Sequence, residues 1–170
     1  MSTLAYPSPD FPGLPSVALD VPDGWEPAYA PGTTMAARLP RADGFSPNVV
    51  VSIEQCVASH TIERSLEQIA EMARSRGGDV SDPFAAQLGD AEFVGCDATW
   101  PDPDVESVLQ ANLFHIVRTD RPGIAGYLVQ LTGAVAGPTA EPDYELIREV
   151  LTTVRVTPWA EAGRPGGTAS

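Results

Sequence analysis

Val105-Glu-Ser-Val-Leu-Gln-Ala-Asn-Leu-Phe-His-Ile-Val-Arg118, then Thr119-Asp-Arg-Pro-Gly123, then Ile124-Ala-Gly-Tyr-Leu-Val-Gln-Leu-Thr-Gly-Ala-Val135 is the stretch that decides the fold. Its two long arms are rich in β-branched and aromatic residues and alternate in polarity, which reads as two strands. The segment between them carries turn chemistry, with a proline ahead of a glycine. Strands joined so closely pair antiparallel. Gly126 and Gly133 inside the second arm mark bulges or points of close approach.

Working outward, Glu92 to Thr99 is a further strand candidate, and Asn48 to Gln55 (NVVVSIEQ) is a strong one. Met35 to Leu39 is a weaker strand ahead of a loop over residues 40–47. Val17, Leu19 and Val21 alternate ahead of the turn Pro22-Asp23-Gly24. Between the early and late strands the period changes. Ile62, Leu66, Ile69, Ala70 and Ala73 recur at helical spacing, with Thr61 or Ser65 as the start and Gly77-Gly78 as the stop. Arg74 and Arg76 favour the end of that helix. A second helix opens around Pro142, with Tyr144, Ile147, Leu151 and Val154 on one side, and Val156 to Trp159 closes the domain. Runs of strands broken by only two helices predict an α+β fold on an antiparallel sheet.

The alternation sorts each strand into two faces. Val49, Val51, Ile53, Leu109, Ala111, Leu113, Tyr127, Val129 and Leu131 share one parity, which is apolar and needs a helix over it. High burial is expected at Val51, Ile53, Leu109, Leu113, Val129, Leu131, Ile147 and Leu151. The other parity is mixed. It holds Asn48, Ser52, Glu54, Gln110, Asn112, Gln130 and Thr132, interrupted by Val50, Phe114, Ile116 and Leu128. Uncharged amides and hydroxyls orient a guest at lower desolvation cost than charges. Ser52, Glu54, Gln110, Asn112, Phe114, Leu128, Gln130 and Thr132 are therefore the candidate ligand or partner face.

The chain has 170 residues, enough for one domain with a core of its own. The ordered domain is expected over 16–159, between an extended Pro-rich arm over 1–15 and a disordered tail over 160–170. Net charge is −13, and no residue is lysine. Such a surface argues against nucleic acid and against anionic membranes. The Ala, Gly, Pro and Arg bias fits GC-rich coding of the actinobacterial kind. No window reaches the length of a membrane span. The first residues show neither a basic region nor an apolar one, and the first cysteine is Cys56. That places the chain in the cytoplasm by default, with export or envelope association by a non-Sec route as the alternative. Reduced, packed thiols at Cys56 and Cys96 follow from the first address, and the second permits a bridge between them.

Val17-Ala-Leu-Asp-Val-Pro-Asp-Gly-Trp25, the strand Phe45-Ser-Pro-Asn-Val-Val-Val-Ser-Ile53, and the order helix, meander, terminal helix resemble the Mog1/PsbP-like superfamily. Within it the chain is most similar to the LpqN branch of mycobacterial lipoproteins, and more loosely to DcrB-type proteins. The resemblance spans roughly residues 16 to 158. It implies a three-layer α/β/α fold around an antiparallel sheet, and non-enzymatic work in binding or assembling proteins. The chain departs from that branch in showing no lipidated cysteine near its start.

Chemical motifs are sparse. Cys56, His60, Cys96 and His115 supply the elements of a zinc site, yet only Cys56 and His60 are close in sequence, so no metal is expected. His115 reads as a satisfied strand histidine. Asp102, Asp104 and Glu106, with Asp97 nearby, lack the spacing of a calcium loop and read as a turn. Phosphate loops and hydrolase motifs are missing, and the neighbours Ser59 and His60 are poorly placed to meet. The sequence thus points to a non-catalytic protein with no cofactor and a protein partner. A carrier of a small apolar or envelope-lipid ligand is the alternative, and an unrecognised hydrolase a distant one.

Overall fold

A computed structural model describes residues 13–120 and 123–158. In chain order the elements are β1 (Ser16–Ala18), β2 (Glu26–Ala28), β3 (Met35–Arg38), β4 (Asn48–Cys56), α1 (Ile62–Ser75), β5 (Asp79–Val80), β6 (Phe84–Leu88), β7 (Ala91–Asp102), β8 (Glu106–Arg118), β9 (Gly126–Ala136), α2 (Ala140–Thr152) and β10 (Arg155–Thr157). The main sheet runs β2-β3-β4-β9-β8-β7-β5, with β6 also on β7, and β1 pairs with β10 in a separate ribbon. Every pairing is antiparallel. The fold is α+β, as the order of strands and helices predicts. Of the arm, only residues 13–15 are described; the tail and Trp159 lie outside the described residues.

Local chemistry explains the helix ends. The Thr61 side chain caps α1 by accepting from the Arg64 N–H, and Glu63 sits in the first turn. Thr61, not Ser65, is therefore the start. At the other end Gly78 N–H reaches Ala73 C=O and Gly77 N–H reaches Arg74 C=O. Gly77 takes the left-handed φ of +77° that this closure needs. A 3-10 turn at Gly137–Thr139 leads into α2, and Val154 falls just past its end, fully buried.

The apolar parity forms the main core. Val51, Val129, Leu131 and Ile147 are wholly buried, and Leu113 and Leu151 nearly so. The terminal helix α2 covers this face, joined by Val17, Leu19 and Trp25. Ile53 and Leu109 are only half-buried. Pairing with β3 stops at Val51, so at Ile53 β4 has become an edge, and Thr34 Oγ1 accepts the Ile53 N–H. Leu109 borders a hollow beside Ala140 and Tyr144. Gly133 is the point of close approach: a Cβ built there would lie 2.6 Å from Ile147 Cδ1. On the other parity a second cluster joins Ala73, Ile69 and Met72 of α1 to Ala98, Trp100, Val108 and Ala136. The Arg76 guanidinium lies 4.9 Å from the centre of the Trp100 ring.

Three short strands have no clear signal in the sequence. β2 is Glu26-Pro27-Ala28, β6 has two alanines among five residues, and β5 has two residues. They are strands because β3 and β7 offer them partners, which is tertiary context overriding weak propensity.

Candidate functional site

The candidate face assembles as the alternation predicts. Strands β4, β9 and β8 are neighbours, with Ser52 opposite Gln130 and Gln130 opposite Phe114. Thr132 stands opposite Asn112, and Glu54 opposite Leu128. All eight residues share one side of the sheet. Their accessibility divides them. Asn112 and Phe114 are buried on β8, one of the strands on which α1 packs. Ser52, Gln110, Leu128, Gln130 and Thr132 are half-buried and Glu54 is exposed. What a partner can touch is therefore the belt Ser52, Gln130 and Thr132, bordered by Val50 and Leu128, with Glu54 at its rim.

Asn112 is anomalous within this face. Its Nδ2 donates to the Gln110 carbonyl at 3.2 Å, while its Oδ1 is buried without a partner. An orphaned buried acceptor costs on the order of 1–3 kcal/mol. On the belt itself, Gln130 Nε2 donates to Thr132 Oγ1 at 3.4 Å.

The reactive side chains are scattered. Cys56 and Cys96 are both free and buried. They sit on different strands, Cys56 in the row of Gly126 and Cys96 in the row of Asn112. Burial pushes the Cys96 thiol up, and the adjacent Asp97 charge adds to it. His60 Nε2 lies 2.9 Å from Ser65 Oγ rather than on Ser59. His115 Nδ1 is 2.8 Å from the Glu92 carbonyl, its ring against Phe93 on the other face. Asp97 accepts from the Tyr144 hydroxyl at 2.7 Å beneath α2, away from Asp102, Asp104 and Glu106. That burial, and then the carboxylate, raise the Tyr144 phenol far above its usual range. Among the described residues no three His, Cys, Asp or Glu side chains converge as a metal site would require.

A second site has little signal in the sequence. A cleft of about 760 Å³ opens at one end of the sheet. Its walls are the loop Arg41 to Phe45, the turn Asp104 to Glu106, and the passage from Ala136 to Leu146 that carries β9 into α2. Inside it Arg41 Nη2 meets Asp143 Oδ1 at 2.7 Å. The Asp143 side chain is only 5 % exposed, in the first turn of α2, where the helix dipole favours its charge. Gly137 has φ +70°, and a Cβ there would stand 3.3 Å from the Val105 carbonyl, so glycine lets two walls touch. Gly137-Pro138 and the acidic turn are its only traces in the sequence.

Comparison with known proteins bears on the fold. No protein-family model matches this sequence, and no curated protein does. Among solved structures the chain is similar to LpqN of Mycobacterium tuberculosis, a protein involved in cell envelope biogenesis. The TM-score is 0.69 at 16 % identity, over 90 % of this chain and 88 % of that one. A weaker likeness is to the cyanobacterial PsbP of Synechocystis sp. PCC 6803, with a TM-score of 0.49, 13 % identity, and coverage of 92 % and 98 %.

Proposed function

We propose that this chain, whose fold is like that of LpqN, is a non-catalytic binding or assembly protein of the Mog1/PsbP-like type that its sequence resembles. Its partner is a protein, taken on the open half of the mixed sheet face. In this reading α1 and α2 are the outer layers of a three-layer α/β/α domain. The supporting observation is the belt Ser52, Gln130 and Thr132: uncharged, half-buried and clear of the principal contacts of α1. A face kept only for solvation carries more charge, and one kept only for packing carries fewer amides.

The geometry favours this over the rivals. A carrier of an apolar ligand needs an enclosed apolar cavity of roughly 300 Å³ or more. The large cleft opens to solvent and its walls carry carboxylates. A hydrolase built on Ser65 and His60 needs a carboxylate to orient the ring, and none hydrogen-bonds to His60 among the described residues. LpqN's part in cell envelope biogenesis makes envelope proteins the first partners to test. No helix among the described residues is long and apolar enough to cross a membrane.

The test is capture by the native chain and by the double variant Ser52→Arg, Gln130→Glu, with thermal unfolding of both. A protein retained by the native chain and lost from an equally stable variant supports the face. Identical capture by both removes it.

A further inference from the structure

We propose that the cleft at the sheet end is a second binding site, for a peptide segment of a partner protein that places an arginine or lysine beside an apolar residue. This does not rest on the belt between β4 and β9.

The lining dictates the chemistry. Phe45, Val105 and Leu146 are half-buried and give the cleft apolar walls. Asp43 stands on one wall, and Asp104 and Glu106 on another, all exposed and none ion-paired among the described residues. Among the described residues Arg41 is the only cation lining the cleft, and Asp143 already engages it. The other described residues therefore leave the carboxylates on the walls unanswered. In a chain of net charge −13 without lysine, a second copy brings more of the same sign. An arginine or lysine side chain fits such a place. Its aliphatic stem lies along apolar walls while its head reaches the acidic rim.

Glu106 is a useful probe of the cleft. It is the only non-glycine residue with positive φ among the described residues, at +66°. Glycine or asparagine takes that conformation at lower cost, and among the described residues the Glu106 side chain has no hydrogen bond or ion pair. That conformation closes the turn between β7 and β8, where Glu106 pairs with Asp102, and it holds the carboxylate on the cleft wall.

The experiment uses the acetylated, amidated hexapeptide Gly-Leu-Arg-Leu-Arg-Gly, and the same peptide with glutamate for arginine. Both are titrated into the full-length, isotope-labelled chain and followed by amide chemical shifts. The arginine peptide should shift the amides of Phe45, Val105 and Leu146, and the glutamate peptide should not. Asp104→Asn should weaken binding about three-fold, the worth of one exposed ion pair, and added salt should weaken it further. Glu106→Gly should weaken binding similarly while raising the melting temperature, a combination that a merely structural role does not produce. The proposal is overturned if these amides do not move, if the glutamate peptide binds as well, or if Glu106→Gly binds with full affinity. Shifts confined to Ser52, Gln130 and Thr132 would overturn it too, while supporting the sheet face.

Discussion

Replacing Gly133 by alanine tests how α2 is seated on the sheet. The new methyl would lie 2.6 Å from Ile147 Cδ1 and 3.3 Å from both Cβ and Cγ1 of the same residue. Ile147 is wholly buried, so it has nowhere to retreat. Overpacking of this kind costs about 1–3 kcal/mol. Glycine in a strand gives back about 0.5–1 kcal/mol when it becomes alanine. The expected net loss is about 1–2 kcal/mol, or a fall in melting temperature of roughly 2–4 °C per kcal/mol for a chain of this size. Ile147→Val removes the Cδ1 atom that clashes and by itself costs about 0.5–1.5 kcal/mol. In the double variant the alanine methyl takes up part of the vacated space. The pair should thus be more stable than the sum of the single changes by about 1–2 kcal/mol. Urea unfolding of all four proteins, at constant m-value, measures that coupling. Additivity to within about 0.5 kcal/mol would refute the claim that Ile147 of α2 packs directly against Gly133.

The other predictions concern protons and buried polar groups. A hydrogen bond from Arg155, reinforced by its charge, holds the Asp20 carboxyl below its ordinary 3.8. This contribution is present above that value and is lost as pH falls through the folded one, so the stability gap between native and Asp20→Asn should close in acid; a gap constant across pH refutes it. Tyr144 is raised above its ordinary 10.0, so its contribution is full below pH 10 and declines above it. Tyr144→Phe should cost about 1–2 kcal/mol at neutral pH and flatten the alkaline limb of the stability profile. Asn112→Leu, which removes the orphaned acceptor, should leave stability unchanged or raise it by up to about 1 kcal/mol in chemical unfolding; a large loss would mean that a buried water satisfies Oδ1. Without reductant, Ellman's reagent should find both thiols only after unfolding, since Cys56 and Cys96 are free and buried; one fast native thiol would contradict that burial.

The central strands were legible because each buries one face, so polarity alternates with the pleat and fixes the register. The same alternation placed Ser52, Gln130 and Thr132 on one side before any pairing was known. It did not show that Asn112 and Phe114 would be hidden. After β4 the chain passes over β9 and β8 to reach the far edge of β7, and α1 is that crossing. Which residues a crossing helix covers depends on its path, and its own periodicity carries no record of it. The cleft escaped for a related reason. Arg41, Asp104 and Asp143 belong to three segments far apart in sequence, and only the assembled fold brings them together.

The place of β4 has a consequence for how the domain comes into being. Strands β7, β8 and β9 follow one another through short turns, so their ladders close between near neighbours in the chain. β4 must instead find β9 from far away, joining Asn48 to Ala134 and Cys56 to Gly126. Closing such a long loop costs entropy before any contact rewards it. The three-stranded meander should therefore form the folding nucleus, with β4 docking late. Substitutions at Leu113 or Leu131 should slow folding, whereas those at Val49 should mainly speed unfolding. Until β4 arrives, the β9 edge is an open template, and that brief interval is when the protein is most exposed to aggregation.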